Sequence, residues 1–152
     1  MKSFFVVVIM TLLSVKCLAQ AYWIYQEAEE YFYGSGGHTQ SYENAFWLYK
    51  KAAEMGSPDA VYKIAVCYFN GYGVDKSDKK ALRWEKKAAK KGQIEAQRDL
   101  GTRYILGNVC KKSYRKGLKW LYKAANKGDY VAIQNLQEMG GYSKIVYQFD
   151  DK

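Results

Sequence analysis

The chain has few of the residues that break helices and few of those that build catalytic or metal centres. Its 152 residues include one proline, one histidine and three cysteines. With a single proline, long helices are permitted nearly everywhere. So few cysteines exclude a disulfide-dense scaffold. The longest apolar run is shorter than the roughly 20 residues that a bilayer core requires.

What the chain does contain is typical of a folded domain. The hydrophobic fraction of 49% and the charged fraction of 26% are enough to build a core, so intrinsic disorder and a polytopic membrane protein are excluded. Tyrosine, with 15 residues, supplies large and half-polar packing side chains. The net charge of +9 favours an acidic partner or an anionic surface.

The N-terminus has the order of features of a secretory signal peptide. Lys2 precedes an apolar run over residues 4–15, which ends at Lys16 and is followed by small residues. We therefore predict that residues 1–19 are a signal peptide and that the protein is exported, periplasmic or secreted. The alternatives are a retained anchor or a buried N-terminal helix.

Two alanines are candidate positions for signal cleavage. Cleavage after Ala19, or after Ala21, would leave a mature domain of about residues 20–152. Cys17 is not predicted to carry a lipid, because Lys16 precedes it and a small residue is required there.

An internal repeat is the strongest signal in the sequence. The pattern Lys-Ala-Ala-x-x-Gly at residues 51–56 recurs at 87–92 and at 123–128, a shift of 36 residues each time. Flanking alanines, leucines and tryptophans keep the same register. The predicted units are residues 22–56, 57–92 and 93–128, with a partial C-terminal repeat over 129–152.

Each unit is predicted to form two helices. In the second unit these span about residues 59–70 and 77–91, with the glycine-rich turn 71–73 between them and Gly92 as the C-cap. Ala60, Ile64 and Tyr68 are spaced four residues apart and share one helix face. One unit cannot bury that face alone, so the fold class is an all-α, right-handed alpha-alpha solenoid of about three 36-residue helix-turn-helix repeats.

The repeat resembles the Sel1-like repeat, a relative of the tetratricopeptide repeat. The residues that carry the resemblance in the second unit are Ala60, Ile64, Ala65, Tyr68, Gly71, Gly73, Val74, Lys80, Ala81, Trp84, Lys87, Ala88, Ala89 and Gly92. The next unit keeps Ala96, Leu100, Gly101, Tyr104, Gly107, Trp120, Lys123, Ala124, Ala125 and Gly128. The resemblance covers about residues 22–140 and implies adaptor or scaffold work rather than catalysis.

Motifs for enzyme chemistry are scarce. His38 lies in a predicted loop, and no second histidine or cysteine accompanies it at metal-ligand spacing. The glycine-rich segment 34–37 lacks the Gly-Lys-Ser/Thr of a phosphate-binding loop. We therefore predict no catalytic, metal or cofactor-binding residue, and a hydrolase that uses His38 ranks third among the functions considered.

A bond between Cys67 and Cys110 would suit an exported protein. In the repeat register the two lie about 8–10 Å apart laterally, and roughly another 10 Å along the helix. Bridged cysteines need alpha carbons within about 7 Å. The spacing argues against pairing unless the loop at Cys110 folds back.

Basic residues concentrate in two segments. Residues 76–91 carry a net charge of +6 and residues 111–127 a net charge of +7. We name the basic stripe by its members: Lys79, Arg83, Lys86, Lys87, Lys90, Arg115, Lys119 and Lys123. Either this is an ordinary solvated face, or it binds an acidic protein, anionic lipid or polyanionic glycan. Nucleic acid ranks last, because the chain is predicted to be exported and no aromatic residues interleave the stripe.

The other candidate surface is the concave face formed by the first helices of the units. Its predicted partner-binding residues are Tyr62, Lys63, Val66, Arg98, Asp99, Thr102 and Arg103. An exposed tyrosine beside charges suits an interface hot spot, although an ordinary wet helix face has the same composition.

The sequence thus predicts an exported module that binds a protein, with no cofactor and no nucleic acid. The family resemblance adds one specific hypothesis, an immunity protein that blocks a toxin delivered into the periplasm. The alternative is an envelope-associated protein held on anionic lipid or glycan by its basic stripe.

Overall fold

A computed structural model describes residues 2–139, with side chains from residue 16 onward. The helices are α1 (Lys2–Tyr33), α2 (Tyr42–Glu54), α3 (Pro58–Asn70), α4 (Asp78–Lys90), α5 (Ile94–Leu106), α6 (Tyr114–Ala125) and α7 (Tyr130–Glu138). No strand occurs within the described range. The two helices predicted over 59–70 and 77–91 are confirmed to within one residue at each end. Residues 140–152 of the predicted partial repeat lie outside the described residues.

Short polar side chains cap the starts of α2, α3, α6 and α7, and glycines end α3 and α5. The Ser57 hydroxyl accepts a hydrogen bond from the backbone N–H of Ala60 at 3.1 Å, and Ser113 caps α6 in the same way. Gly71 ends α3 and Gly107 ends α5, each with a left-handed backbone at φ 79° and 80°. Glycine adopts this conformation at little steric cost, which is why the turn lies where the sequence places it.

The chain divides into two compact units, with the boundary between Trp84 and Glu85, inside α4. In the first unit α2 packs against α1 and α3. The N-terminal helix contributes Ala21, Ile24 and Ala28 to that core. None of the helices, over the residues of known placement, is long and apolar enough to cross a membrane.

In the second unit α6 packs against both α5 and α7. Its core contains Leu118, Leu121, Ala124, Ala125, Ala132 and Leu136. The alanine pairs that recur with the repeat are buried, as the sequence predicts. Their small side chains let helix backbones approach closely.

Helices α5 and α6 come close to each other where Gly101 faces Gly117. A methyl group added at Gly117 would lie 2.7 Å from the carbonyl oxygen of Gly101 and 2.4 Å from Cγ1 of Ile105. The preceding repeats have Ala45 and Ala81 at the register position of Gly117. The second unit therefore uses glycine where the repeat otherwise uses alanine.

We expect Gly117→Ala to destabilise the protein by about 1–2 kcal/mol, although alanine is the better helix former. Overpacking a filled interface costs about 1–3 kcal/mol, and the helix-propensity gain of about 1 kcal/mol offsets only part of it. Denaturant unfolding measures the difference. The matched control is Ala81→Gly, which should also destabilise, by about 1 kcal/mol, because it lowers propensity without relieving a clash. A more stable Gly117→Ala protein would contradict the close approach.

Candidate interaction surfaces

The predicted concave-face residues lie on α3 and α5 and are all half-buried. Tyr62 was predicted to be exposed, and that detail is wrong, because its ring is partly covered. The side chain of Thr102 donates a hydrogen bond to the backbone carbonyl of Arg98 at 3.2 Å. The charged side chains of this face form ion pairs with residues of their own unit.

In the first unit Lys63 belongs to a buried polar cluster. Its Nζ donates to Oε2 of Glu29 at 2.9 Å, and the Tyr49 hydroxyl donates to the other oxygen of the same carboxylate. Burial, with the nearby Glu29 charge, raises the pKa of both Tyr25 and Tyr49. Lys63 therefore joins α1 to α3.

In the second unit Arg98 joins α5 to the start of α7. Its guanidinium lies 3.2 Å from Asp99 and 2.9 Å from Asp129. Asp129 is also the N-cap of α7, since its other oxygen accepts from the Ala132 N–H at 2.7 Å. The predicted site residues Arg98 and Asp99 are thus brought together, in a structural contact.

Arg103 pairs with a carboxylate that lies at a core position. Glu85 is 1% exposed, and Nε of Arg103 lies 3.0 Å from each of its oxygens. Counting back and forward by 36 residues, the equivalent positions hold Tyr49 and Leu121, both buried. Burial raises the pKa of Glu85 to about 7, against the opposing effect of Arg103. The sequence analysis included Glu85 only in the net charge of the basic segment 76–91. The repeat register indicates that the position is internal, because Tyr49 and Leu121 occupy it in the neighbouring repeats.

The basic stripe is exposed except for one member. Lys79, Arg83, Lys87 and Lys90 of α4, and Arg115, Lys119 and Lys123 of α6, are exposed. Lys86 is half-buried.

Aromatic rings lie beside basic side chains, which corrects the expectation that none interleave the stripe. Nζ of Lys123 lies 4.7 Å from the centre of the Trp120 ring. Nζ of Lys86 and of Lys116 lie 5.7 Å and 5.8 Å from the Tyr104 ring. These cation–π contacts hold the ammonium groups in place.

A cavity near the start of α6 collects residues that sequence reasoning did not assign to a site. It is lined by Lys86, Tyr104, Cys110, Lys111, Lys112, Ser113 and Lys116. Of these only Lys86 belongs to the predicted stripe. The sequence did contain an indication of this basic cavity. In the 36-residue register Lys111 occupies the position that Asp75 has in the preceding repeat.

Val109, next to this cavity, has a strained backbone. Its φ is 63°, and the equivalent residue of the preceding repeat is Gly73 with φ 66°. A β-branched residue is a rare outlier in this left-handed region, and such strain costs of order 1–3 kcal/mol.

We expect Val109→Gly to stabilise the protein by about 1 kcal/mol. The relief of backbone strain exceeds the greater loss of chain freedom that glycine suffers on folding, and the exposed valine side chain contributes little burial. Thermal unfolding measures the change. Val109→Ala, which removes the side chain but keeps the left-handed penalty, should gain less; equal gains from both would locate the cost in the side chain instead.

The cysteines and the histidine have ordinary surroundings. Cys17, Cys67 and Cys110 are free thiols, and burial raises the pKa of Cys67 to about 12. His38 lies 3.5 Å from Glu30, and its ring centre is 4.1 Å from that of Tyr31. Among the residues whose placement is described, no group of three or more histidine, cysteine or acidic side chains is positioned to hold a metal.

Comparison with known families gives three consecutive matches. The model of the Sel1 repeat matches residues 24–57, 58–93 and 94–129. No curated protein matches the chain.

Solved structures resemble the chain over most of its length. A Sel1 repeat protein from Oxalobacter formigenes has a TM-score of 0.73 and 28% identity, over 80% of this chain and 50% of its own. The protein c5321, a protective antigen of uropathogenic Escherichia coli strains with an SLR fold, has a TM-score of 0.72 and 30% identity, over 78% of this chain and 25% of its own. Helicobacter pylori cysteine-rich protein B, at 22% identity and a TM-score of 0.62 over 78% and 94% of the two chains, shares the fold.

The chain therefore spans half the length of the first of these proteins and a quarter of the second. Together with the described helices, the matches confirm the predicted fold class of all-α, helix-turn-helix repeats of about 36 residues.

Proposed function

The chain belongs to the Sel1 repeat family, whose members are helical-repeat protein-interaction modules, and on that basis we propose that it is an exported module that binds an acidic protein partner. The observation that carries the proposal is the separation of charge between the two units. Residues 16–84 carry 8 basic and 8 acidic side chains, whereas residues 85–139 carry 13 basic and 5 acidic ones. The second unit thus concentrates the positive charge of the chain.

Most of the positive charge of the second unit lies on exposed side chains. Arg98 and Arg103 are paired with acids of their own unit. The charges of these two residues are therefore largely neutralised inside the unit. The stripe members of α6 are exposed, and this helix contains no acidic residue. A positive patch of this kind steers an acidic partner and sets the salt dependence of its association.

The packing of α1 supports export. Residues 16–20 are exposed, whereas Ala21, Ile24 and Ala28 are buried. Removal of residues 1–19 would therefore leave these core contacts in place. Signal cleavage after Ala19 is compatible with the fold of the first unit.

The experiment is affinity capture by the exported protein in crosslinked cells of its own source, followed by mass spectrometry. The stripe variant carries Lys90→Glu, Arg115→Glu and Lys119→Glu, which are exposed stripe residues of the second unit. The concave-face variant carries Tyr62→Ala and Thr102→Ala, and it leaves the ion pairs of Lys63, Arg98 and Arg103 intact.

We expect a dominant partner whose capture is lost with the stripe variant and weakens strongly with salt. Retention by the stripe variant but loss with the concave-face variant would move the interface to α3 and α5. Melting curves establish that both variants fold. A partner retained by both, or none at all, contradicts the proposal.

The finer hypothesis is that the partner is a toxin delivered into the periplasm and that this chain is its immunity protein. Cells that lack the protein should then be killed on contact with kin that carry the toxin, and expression of the exported chain should rescue them. Equal survival of the two strains rejects the immunity role and leaves the binding proposal to the capture experiment.

The basic helix α6 also favours a second candidate, attachment to an anionic envelope surface. Cosedimentation with anionic vesicles at low and high salt separates the two functions. Vesicle binding that salt abolishes, without a captured protein, would favour the envelope.

A further inference from the structure

The cavity near the start of α6 has an unusual lining. Its volume is about 440 Å3, and it lies entirely within the second unit. Four of its seven lining residues are lysines and none is acidic. The lysines come from α4, from the loop after α5 and from the first turn of α6.

The preceding repeat forms an equivalent cavity with a different charge. That cavity, of about 610 Å3, lies within the first unit. Four positions of the two linings correspond at a spacing of 36 residues: Tyr68 and Tyr104, Val74 and Cys110, Asp75 and Lys111, and Lys80 and Lys116. In the first unit Glu43 and Asp75 oppose the single cation Lys80. The repeat therefore supplies the cavity, and the side chains at a few positions decide its charge.

Two ammonium groups contact the ring of Tyr104, which lines the cavity. Nζ of Lys86 and Nζ of Lys116 each lie within 5.8 Å of the same ring centre. Over the equivalent Tyr68 lies Nζ of Lys80, at 5.4 Å. Like charges gathered in one concavity repel one another, and an anion between them removes that repulsion.

The loop before α6 and the first turn of α6 also favour an anion at the cavity. The strained Val109 precedes Cys110, Lys111 and Lys112, and backbone strain of this kind clusters at functional sites. The first turn of α6 contains no acidic residue, so no negative side chain offsets the positive end of the helix dipole there.

We propose that this cavity binds a phosphate-class oxyanion, either inorganic or the phosphate of a lipid headgroup. The lining provides four lysines, and lysine binds phosphate as a point charge. A water molecule takes up about 30 Å3, so a cavity of about 440 Å3 accommodates a phosphate together with the group that it esterifies. The site is additional to the protein interface proposed above and does not depend on it.

The test is calorimetric titration of the full chain, carrying Cys17→Ser, with inorganic pyrophosphate at constant ionic strength. Lys111→Asp gives the second cavity the acidic residue that the first cavity has at this position. Lys119→Asp is the matched control, since it makes the same charge change on an exposed residue of α6 outside the lining. We expect Lys111→Asp to weaken binding at least about tenfold, as loss of a charged hydrogen bond does, and Lys119→Asp to weaken it less than about threefold.

Cys110 reports whether the anion occupies the cavity. Pyrophosphate should slow its reaction with a neutral disulfide reagent, whereas sodium chloride at equal ionic strength should not. Circular dichroism and melting curves establish that the variants fold.

Vesicles distinguish the two sources of phosphate. Vesicles of phosphatidylglycerol that bind the wild type, compete with pyrophosphate and lose the Lys111→Asp variant would identify a lipid headgroup as the ligand. Vesicles that neither bind nor compete leave a soluble phosphate. Equal losses of pyrophosphate affinity in Lys111→Asp and Lys119→Asp, or no pyrophosphate binding by the wild type, would overturn the proposal.

Discussion

Replacing Arg103 with methionine is expected to lower the free energy of unfolding by about 3–5 kcal/mol at neutral to basic pH. The substitution leaves the Glu85 carboxylate, which is 1% exposed, without its cation. An uncompensated buried charge costs far more than the net contribution of the pair itself. Denaturant unfolding followed by circular dichroism measures the loss.

The double variant Glu85→Leu with Arg103→Met should recover most or all of that stability. These two residues are the ones that the next repeat has in the same register, where Leu121 is part of the buried core and Met139 packs against it. Replacing a buried ion pair by apolar residues of similar volume is often neutral or stabilising by about 1–4 kcal/mol. A double variant as unstable as Arg103→Met alone would contradict this account.

Arg98→Met, on the same helix, is the control for the loss of an arginine. Its partners Asp99 and Asp129 are 31% and 9% exposed, whereas Glu85 is 1% exposed, so water can solvate the carboxylates that remain and the cost should be smaller. The expected instability of Arg103 variants also affects the interpretation of binding studies. A variant of Arg103 that fails to bind a partner has lost stability as well, so Arg103 cannot by itself locate the concave-face interface.

The second large effect is a fall in stability, attributable to Glu85, as the pH rises. Its pKa of about 7 in the folded protein lies above the ordinary 4.5, so between these two values the folded state holds a proton that the unfolded state has released. Stability from this group is therefore greatest below about pH 4.5 and declines until about pH 7, by an amount on the order of 3 kcal/mol. Burial is the largest cause of the raised pKa, so the fall in stability depends on how deeply the Glu85 carboxyl group is buried.

The measurement compares wild type with Glu85→Gln over pH 4.5 to 8, so that the other carboxyl groups cancel. The stability of the Gln variant relative to wild type should increase with pH across this range and level off above pH 7. The cost of Arg103→Met should also be smaller at pH 5 than at pH 8, because a protonated Glu85 no longer requires a cation. A difference between wild type and Glu85→Gln that does not vary with pH would contradict a raised pKa.

The repeat, the helices and their turns could be predicted from the sequence, because each depends on local or periodic signals. Alanines at a fixed spacing, serine caps and turn glycines determine where α3 and α4 begin and end, whatever lies around them. The surface assignments were less complete. Lys63, Arg98 and Arg103 were predicted as partner-binding residues, and the sequence did not reveal that each also pairs with an acid distant in sequence.

The sequence by itself determined the family, the all-α repeat fold and the concentration of positive charge toward the second unit. Only the tertiary structure decided that Glu85 pairs with Arg103, that Gly117 meets Gly101, and that Lys86 and Lys116 share one tyrosine ring. The physical reason is that periodicity identifies the face of a helix on which a residue lies, but not the group opposite it. Which charge is desolvated, and which backbone comes close, depends on that opposite group.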